Sequence, residues 1–235
     1  MSRIRPLDPA HHGALRFDPG IVASTPRFVQ IGLSEIVLAA ADMPLCLAKD
    51  AHTGRFNLIA LLGLVEPQNL FCVDGRFHAT YCPRALQLTG FRLHPDGVAG
   101  LAIDEEDPAL GASGQLLFEN GRATPLTATI ADALRRLIAD LDAARDLIAD
   151  YAARHLIRPL RLTLRRSDQH EHVIDGLYTI DQDALSGLSD ADVVILHRAD
   201  RLAPATLLSA SLTQIERLCQ LDAARHQQDR FHATF

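Results

Sequence analysis

The strongest constraint on this chain is a long run of helical period lying between two prolines. From Pro125 onward, Leu126, Ile130, Leu134, Leu137, Ile138, Leu141, Ile148, Tyr151 and Ala152 recur at three- and four-residue spacings. That spacing puts them on one face of an α-helix. Thr124 suits the N-cap, and Pro125 suits the first helical position, where its missing N–H is no loss. Pro159 stops the run, so the helix is expected to end near Leu156. At 1.5 Å per residue it would measure about 45 Å. A helix of that length in 235 residues either kinks or links two lobes.

The segments on either side read differently. Residues 1–27, rich in Pro, His and Arg, read as an extended arm. Phe28–Ile31 reads as a strand, and Ser34 as the N-cap of a helix running to Ala41. Pro44–Ala48 and Asn57–Val65 are apolar runs bounded by turn formers, the mark of buried strands. Asn69–Val73 and Arg76–Thr80 flank Asp74-Gly75, a pair that favours a type I′ hairpin. Phe91–Leu93 and Val98–Ile103 form a second hairpin around Pro95-Asp96-Gly97. Residues 104–114 form an acidic loop, and Gln115–Phe118 a further strand. After the long helix come strands Leu160–Leu164 and Val173–Ile180, then a helix capped by Asp181, another over 190–198, and a last one opened by Pro204. The fold class is therefore α+β. A sheet-rich N-terminal lobe (1–124, mostly antiparallel) precedes the connecting helix (125–157), and a small ββααα segment (158–235) follows, either as separate parts or all within one domain.

Composition excludes several function classes. The chain is 48% hydrophobic, too apolar for intrinsic disorder. Its net charge of −6 argues against nucleic acid, which requires a basic surface. Trp is absent and aromatics total 5%, which leaves little for base stacking. Lys49 is the only lysine, and no glycine-rich phosphate loop surrounds it. No apolar run approaches the roughly 20 residues that span a bilayer, and no secretory signal is visible. The expectation is a cytoplasmic protein with Cys46, Cys72, Cys82 and Cys219 as free thiols.

Chemistry-bearing motifs are few. His170 and His172 share one face of a strand and are a weak metal-ligand pair, more simply read as a polar hairpin tip. No metal and no cofactor is expected. His12, Asp104 and Tyr178 are candidate catalytic residues. Asp104 follows the apolar run Leu101–Ile103, where a carboxylate pKa can rise. Asn69, Asp74, Tyr81 and Arg84 cluster around the first hairpin. If they converge they can bind an anionic or peptide ligand, with Arg84 making a bidentate contact. Arg16 and Asp181 complete the candidate binding set.

The ordered motifs resemble the bacterial SapC family. The resemblance rests on Pro6-Leu-Asp-Pro-Ala-His-His-Gly-Ala-Leu-Arg16, Glu35…Ala39-Ala40…Pro44, Ala60-Leu-Leu-Gly63, Asn69-Leu-Phe71…Asp74-Gly75…Tyr81-x-Pro83, Ile103-Asp104-Glu105, Gly176-Leu-Tyr-Thr-Ile-Asp181 and Leu202…Ala210-Ser211-Leu212. It departs at Phe77, where the family usually has Trp, and at Gln87–Gly90, where a basic-aromatic-proline run is usual. The family takes its name from surface-layer gene clusters, and its members often neighbour genes for flavin-dependent halogenase-like proteins and outer-membrane receptors. The absence of catalytic signatures and the family context together point to an accessory or binding protein with a polypeptide partner, such as a halogenase-like flavoprotein; the last helix is the expected partner surface if its apolar side is not fully buried. The alternatives are an enzyme acting on a small molecule or peptide through a composite His/Asp/Tyr pocket, and a structural homo-oligomer, with a homodimer the simplest case.

Overall fold

The computed structural model describes residues 3–165, 171–226 and 231–235. The fold is α+β, and among the described residues every strand pair is antiparallel. The helix at Pro125–Ala153 is continuous over 29 residues and ends one turn earlier than Pro159 alone requires. His155, at a φ of 56°, turns the chain out of it. Ile138 is exposed, and Thr127 takes the buried position near the start, its hydroxyl donating to the Leu117 carbonyl at 2.6 Å.

The chain divides into two compact units, and the division falls within this helix, between Ala139 and Asp140. The first unit comprises residues 1–24, 71–78 and 82–139. Its N-terminal residues are not an extended arm. Ile4–Pro6 pairs with Leu101–Asp104, which pairs in turn with Phe91–Leu93. Asp8 caps a helical turn at Pro9–His12, accepting from the Ala10 N–H at 2.9 Å. Arg16–Phe17 pairs with Leu110–Gly111 and Gln115–Leu116, so the acidic loop is stitched to the N-terminus. Leu7, Phe17 and Val22 are core residues. An Asx cap followed by proline was the local signal for order here. Cys72–Val73 and Arg76–Phe77 form the expected two-residue hairpin, with Asp74 at φ 50° and Gly75 at φ 74°. Two positive φ values in succession are what a type I′ turn demands.

The second unit comprises residues 25–70, 79–81 and 140–235. It is built on a six-stranded sheet in the order 232–234, 157–165, 171–180, 45–49, 56–61, 28–30. Strands from both ends of the chain therefore share one sheet, joined where Leu177 faces Ala48 and Tyr178 faces Leu47. Between Ile157–Arg165 and Glu171–Ile180 the register shifts, and Asp175 and Gly176 lie opposite the single Arg161. Gly176 absorbs the bulge at a φ of 81°, a conformation that favours glycine.

The helices over 182–186, 190–198, 202–211 and 215–226 follow, the last two separated by a short tighter turn. Leu208, Leu212, Ile215, Leu218 and Cys219 are buried. The apolar side of the last helices is thus core and not the open partner surface that sequence suggested. Among the described residues no helix is long and apolar enough to cross a membrane.

Gly63 closes the Ala60–Gly63 motif against the backbone. A Cβ there would stand 2.1 Å from the Gln68 carbonyl oxygen. Backbone cannot yield as a side-chain tip can. Gly63→Ala is expected to lower unfolding free energy by roughly 2 kcal/mol, read from urea titration; an unchanged midpoint would contradict this packing.

Candidate functional site

Two polar clusters gather residues of the sequence motifs, one in each unit. In the second unit, Glu35 and Asp42 are both buried carboxylates. Glu35 stands at the end of a tight turn, Leu33–Glu35, that leads into the helix Ile36–Ala40. Its carboxylate accepts the Gly32 N–H at 2.8 Å and the Tyr81 hydroxyl at 2.6 Å. Glu35, not Ser34, therefore satisfies the helix start. Ser34 instead gives its hydroxyl to Asp140 at 2.8 Å. Asp42 accepts the Tyr81 backbone N–H at 2.9 Å and the Arg217 guanidinium at 2.6 Å. Tyr81 thus donates to both carboxylates, from opposite ends of one residue. Buried carboxylates survive only with such partners.

In the first unit, buried His12 is bonded at both nitrogens. Nδ1 accepts the Asp8 N–H at 3.1 Å, so the proton sits on Nε2 and is given to Glu105 at 3.2 Å. The His12 hydrogen bond, with Arg3 and Arg5 beside it, holds the Glu105 carboxyl below its usual range. Asp8 is likewise lowered, by the Ala10 N–H and by His11. Arg5, Leu7, Asp8, His11, His12 and Asp96 border an open cavity of about 400 Å³. A general base needs a nitrogen free to take a proton, and His12 would have to break one of these bonds first.

The remaining candidates are dispersed. Asp104, in the first unit, accepts the Arg3 and Glu106 backbone N–H groups at 3.0 and 3.2 Å, a turn-holding role. Tyr178, in the second, lies edge-on to Phe56 with ring centroids 4.9 Å apart. Asn69 and Tyr81 belong to the second unit, Asp74 and Arg84 to the first. Asn69 is fully buried, Asp74 is exposed at its turn, and Arg84 begins a short helix at Arg84–Gln87. Arg16 gives its guanidinium to the Gly114 carbonyl at 2.9 Å. Asp181 caps Gln182–Ser186, accepting from the Asp183 and Ala184 N–H groups. His170 lies outside the described residues, and His172 is exposed with its ring edge-on to Phe231. Among the described residues no group of three His, Cys, Asp or Glu side chains is placed to hold a metal ion. Burial raises the Cys46 thiol to about 12 and Cys219 to about 11, which makes both poor nucleophiles. Glu105, Glu35 and Asp42 were missed as site residues by sequence reasoning. Glu35 and Glu105 did stand inside the recognised motifs, and the capping spacing Gly32-x-x-Glu35 was a further signal.

Fold and clusters together define an α+β protein whose signature side chains pair with one another across the sequence: His12 with Glu105, and Glu35 with Tyr81. The chain belongs to the SapC family, whose model matches residues 7–218. No curated protein and no solved structure matches it.

The lowered Glu105 carboxyl sets a pH dependence. A depressed folded value stabilises the fold above the usual 4.5, and that contribution fades as pH falls through the folded value. In His12→Ala the Glu105 carboxyl carbon is expected to titrate at higher pH than in the parent, followed by NMR. An unmoved titration would mean that the 3.2 Å contact does not hold it.

Proposed function

We propose that this SapC-family chain is an accessory binding protein that works with a polypeptide partner and performs no chemistry at its signature residues. The observation that carries this reading is the mutual pairing of those residues. Glu35, Tyr81, His12, Asp104 and Asp181 all have polar atoms engaged in caps, turns or buried bonds. Groups so engaged fix a shape. A shape is what a binding protein presents.

Short helices supply outward apolar side chains. Val37 and Leu38 on Ile36–Ala40 are 66% and 54% exposed, and Val194 and Ile195 stand out from Asp190–Arg198. Adjacent exposed aliphatics on a short helix suit protein contact better than solvent. Val37 and Leu38 follow directly from the Glu35 anchor. The proposed partner is a halogenase-like flavoprotein of the kind the family accompanies, and the proposed setting is the reducing cytoplasm, which suits four free thiols.

The test is light scattering after size exclusion, with the chain mixed with a purified flavin-dependent halogenase-like protein. The expected result is a complex with the summed mass of both proteins, weakened about tenfold or more by Val37→Asp with Leu38→Asp. Separate elution of the two proteins, or a complex indifferent to those substitutions, overturns the reading.

A further inference from the structure

We propose that a cleft in the second unit, between the start of the Phe56–Leu61 strand and the Asp140–Ala153 half of the long helix, binds an amphipathic organic monoanion: a carboxylate carried on an aromatic or aliphatic body. The cleft encloses about 530 Å³, within the roughly 300–1,000 Å³ of ordinary ligand pockets. One wall is a helix face, where Arg145, Ile148, Ala149 and Ala152 recur at three- and four-residue spacings. The alanines are what keep the space open.

The opposite wall is the Phe56 ring. It is fixed rather than free, because Tyr178 meets it edge-on at 4.9 Å and 73°. With Lys49 over the ring and Tyr178 set at 73° to it, Phe56 is a fixed part of the wall against which an apolar or aromatic body can pack. Burial of Ile148 beneath adds an aliphatic floor.

Charge gathers at the mouth. Arg55 lines the cleft and is exposed, and among the described residues its guanidinium makes no hydrogen bond or ion pair. Arg145 lies opposite and, among the described residues, is tied to Asp142 one turn away on its own helix. Lys49, the chain's single lysine, holds its ammonium 5.7 Å from the centre of the Phe56 ring. Arg55, Arg145 and Lys49 stand among three carboxylates, Asp50, Asp142 and Asp146; Asp142 is taken by Arg145 and Asp50 by the His52 and Thr53 N–H groups, which leaves Arg55 to meet one negative charge on the ligand. Planar guanidinium also suits a carboxylate geometrically.

The loop that presents Arg55 is built before any ligand arrives. The Asp50 carboxylate accepts the His52 N–H at 3.1 Å, the Thr53 N–H at 2.7 Å and the Thr53 hydroxyl at 2.8 Å. Gly54 then takes a φ of 68° and delivers Arg55 to the strand. A preformed loop loses little entropy on binding.

The probe is 2-naphthoate, titrated into the full chain and followed by backbone amide shifts. Saturable shifts are expected at residues 49–56 and 145–152. 2-Naphthalenemethanol, with the same body and no charge, is expected to bind about tenfold more weakly or worse, and so is Arg55→Gln with Arg145→Gln. Arg55 is exposed and Arg145 half-exposed with an ion pair to Asp142 on its own helix, so the double variant should stay folded and melt within a few degrees of the parent. Ala149→Trp, which fills the cleft, should abolish the shifts. Scattered or unsaturable shifts, an alcohol that binds as well as the acid, or arginine variants that bind like the parent would each overturn the proposal.

Discussion

Tyr81 holds two buried carboxylates at once, and much of the second unit depends on that. Its hydroxyl reaches Glu35 and its backbone N–H reaches Asp42, which also takes Arg217. A carboxylate moved from water to the interior carries a penalty of several kcal/mol unless paired and bonded. The cluster is therefore stable only when three separate segments, 32–42, 79–81 and the helix at 215–226, are all in place. Glu35 and Asp42 bracket the helix Ile36–Ala40, so the same bonds fix where Val37 and Leu38 stand.

The six-stranded sheet imposes a similar demand. Its inner strands come from residues 45–49 and 56–61 on one side and 157–165 and 171–180 on the other, and among the described residues the two sets pair at Leu177–Ala48 and Tyr178–Leu47. The Leu45 N–H is given to the Ser211 hydroxyl at 2.9 Å, so a helix near the C-terminus also closes on a strand near the N-terminus. Contacts between parts so far apart in sequence favour a fold that forms late and as a whole.

What was legible in the sequence was local. Pro125 at the helix start, the Asp-Gly turn at 74–75 and the Asp181 cap each act within a few residues, and each stands where the sequence placed it, whereas the helix ends at Ala153, before Pro159 can act. What was not legible was non-local. Nothing in Arg3–Phe17 reveals that it pairs with strands a hundred residues away, so it read as an arm. The apolar side of the last helices read as a partner surface because periodicity marks a buried face without saying what buries it. Ser34 read as a cap because its hydroxyl chemistry is generic; Asp140 claims it instead, and Glu35 does the capping. The candidate binding set around the first hairpin mixed two units for the same reason, since closeness in sequence is a poor guide to closeness in space.

If the signature residues are structural, their bonds must be worth stability and must depend on one another. A double-mutant cycle of Glu35→Gln and Tyr81→Phe, read by urea unfolding, measures this directly. The account predicts a coupling of at least about 1 kcal/mol, with each single substitution destabilising. Additive effects near zero would show that the Tyr81–Glu35 contact does not hold the fold, and would return both residues to the pool of groups available for chemistry.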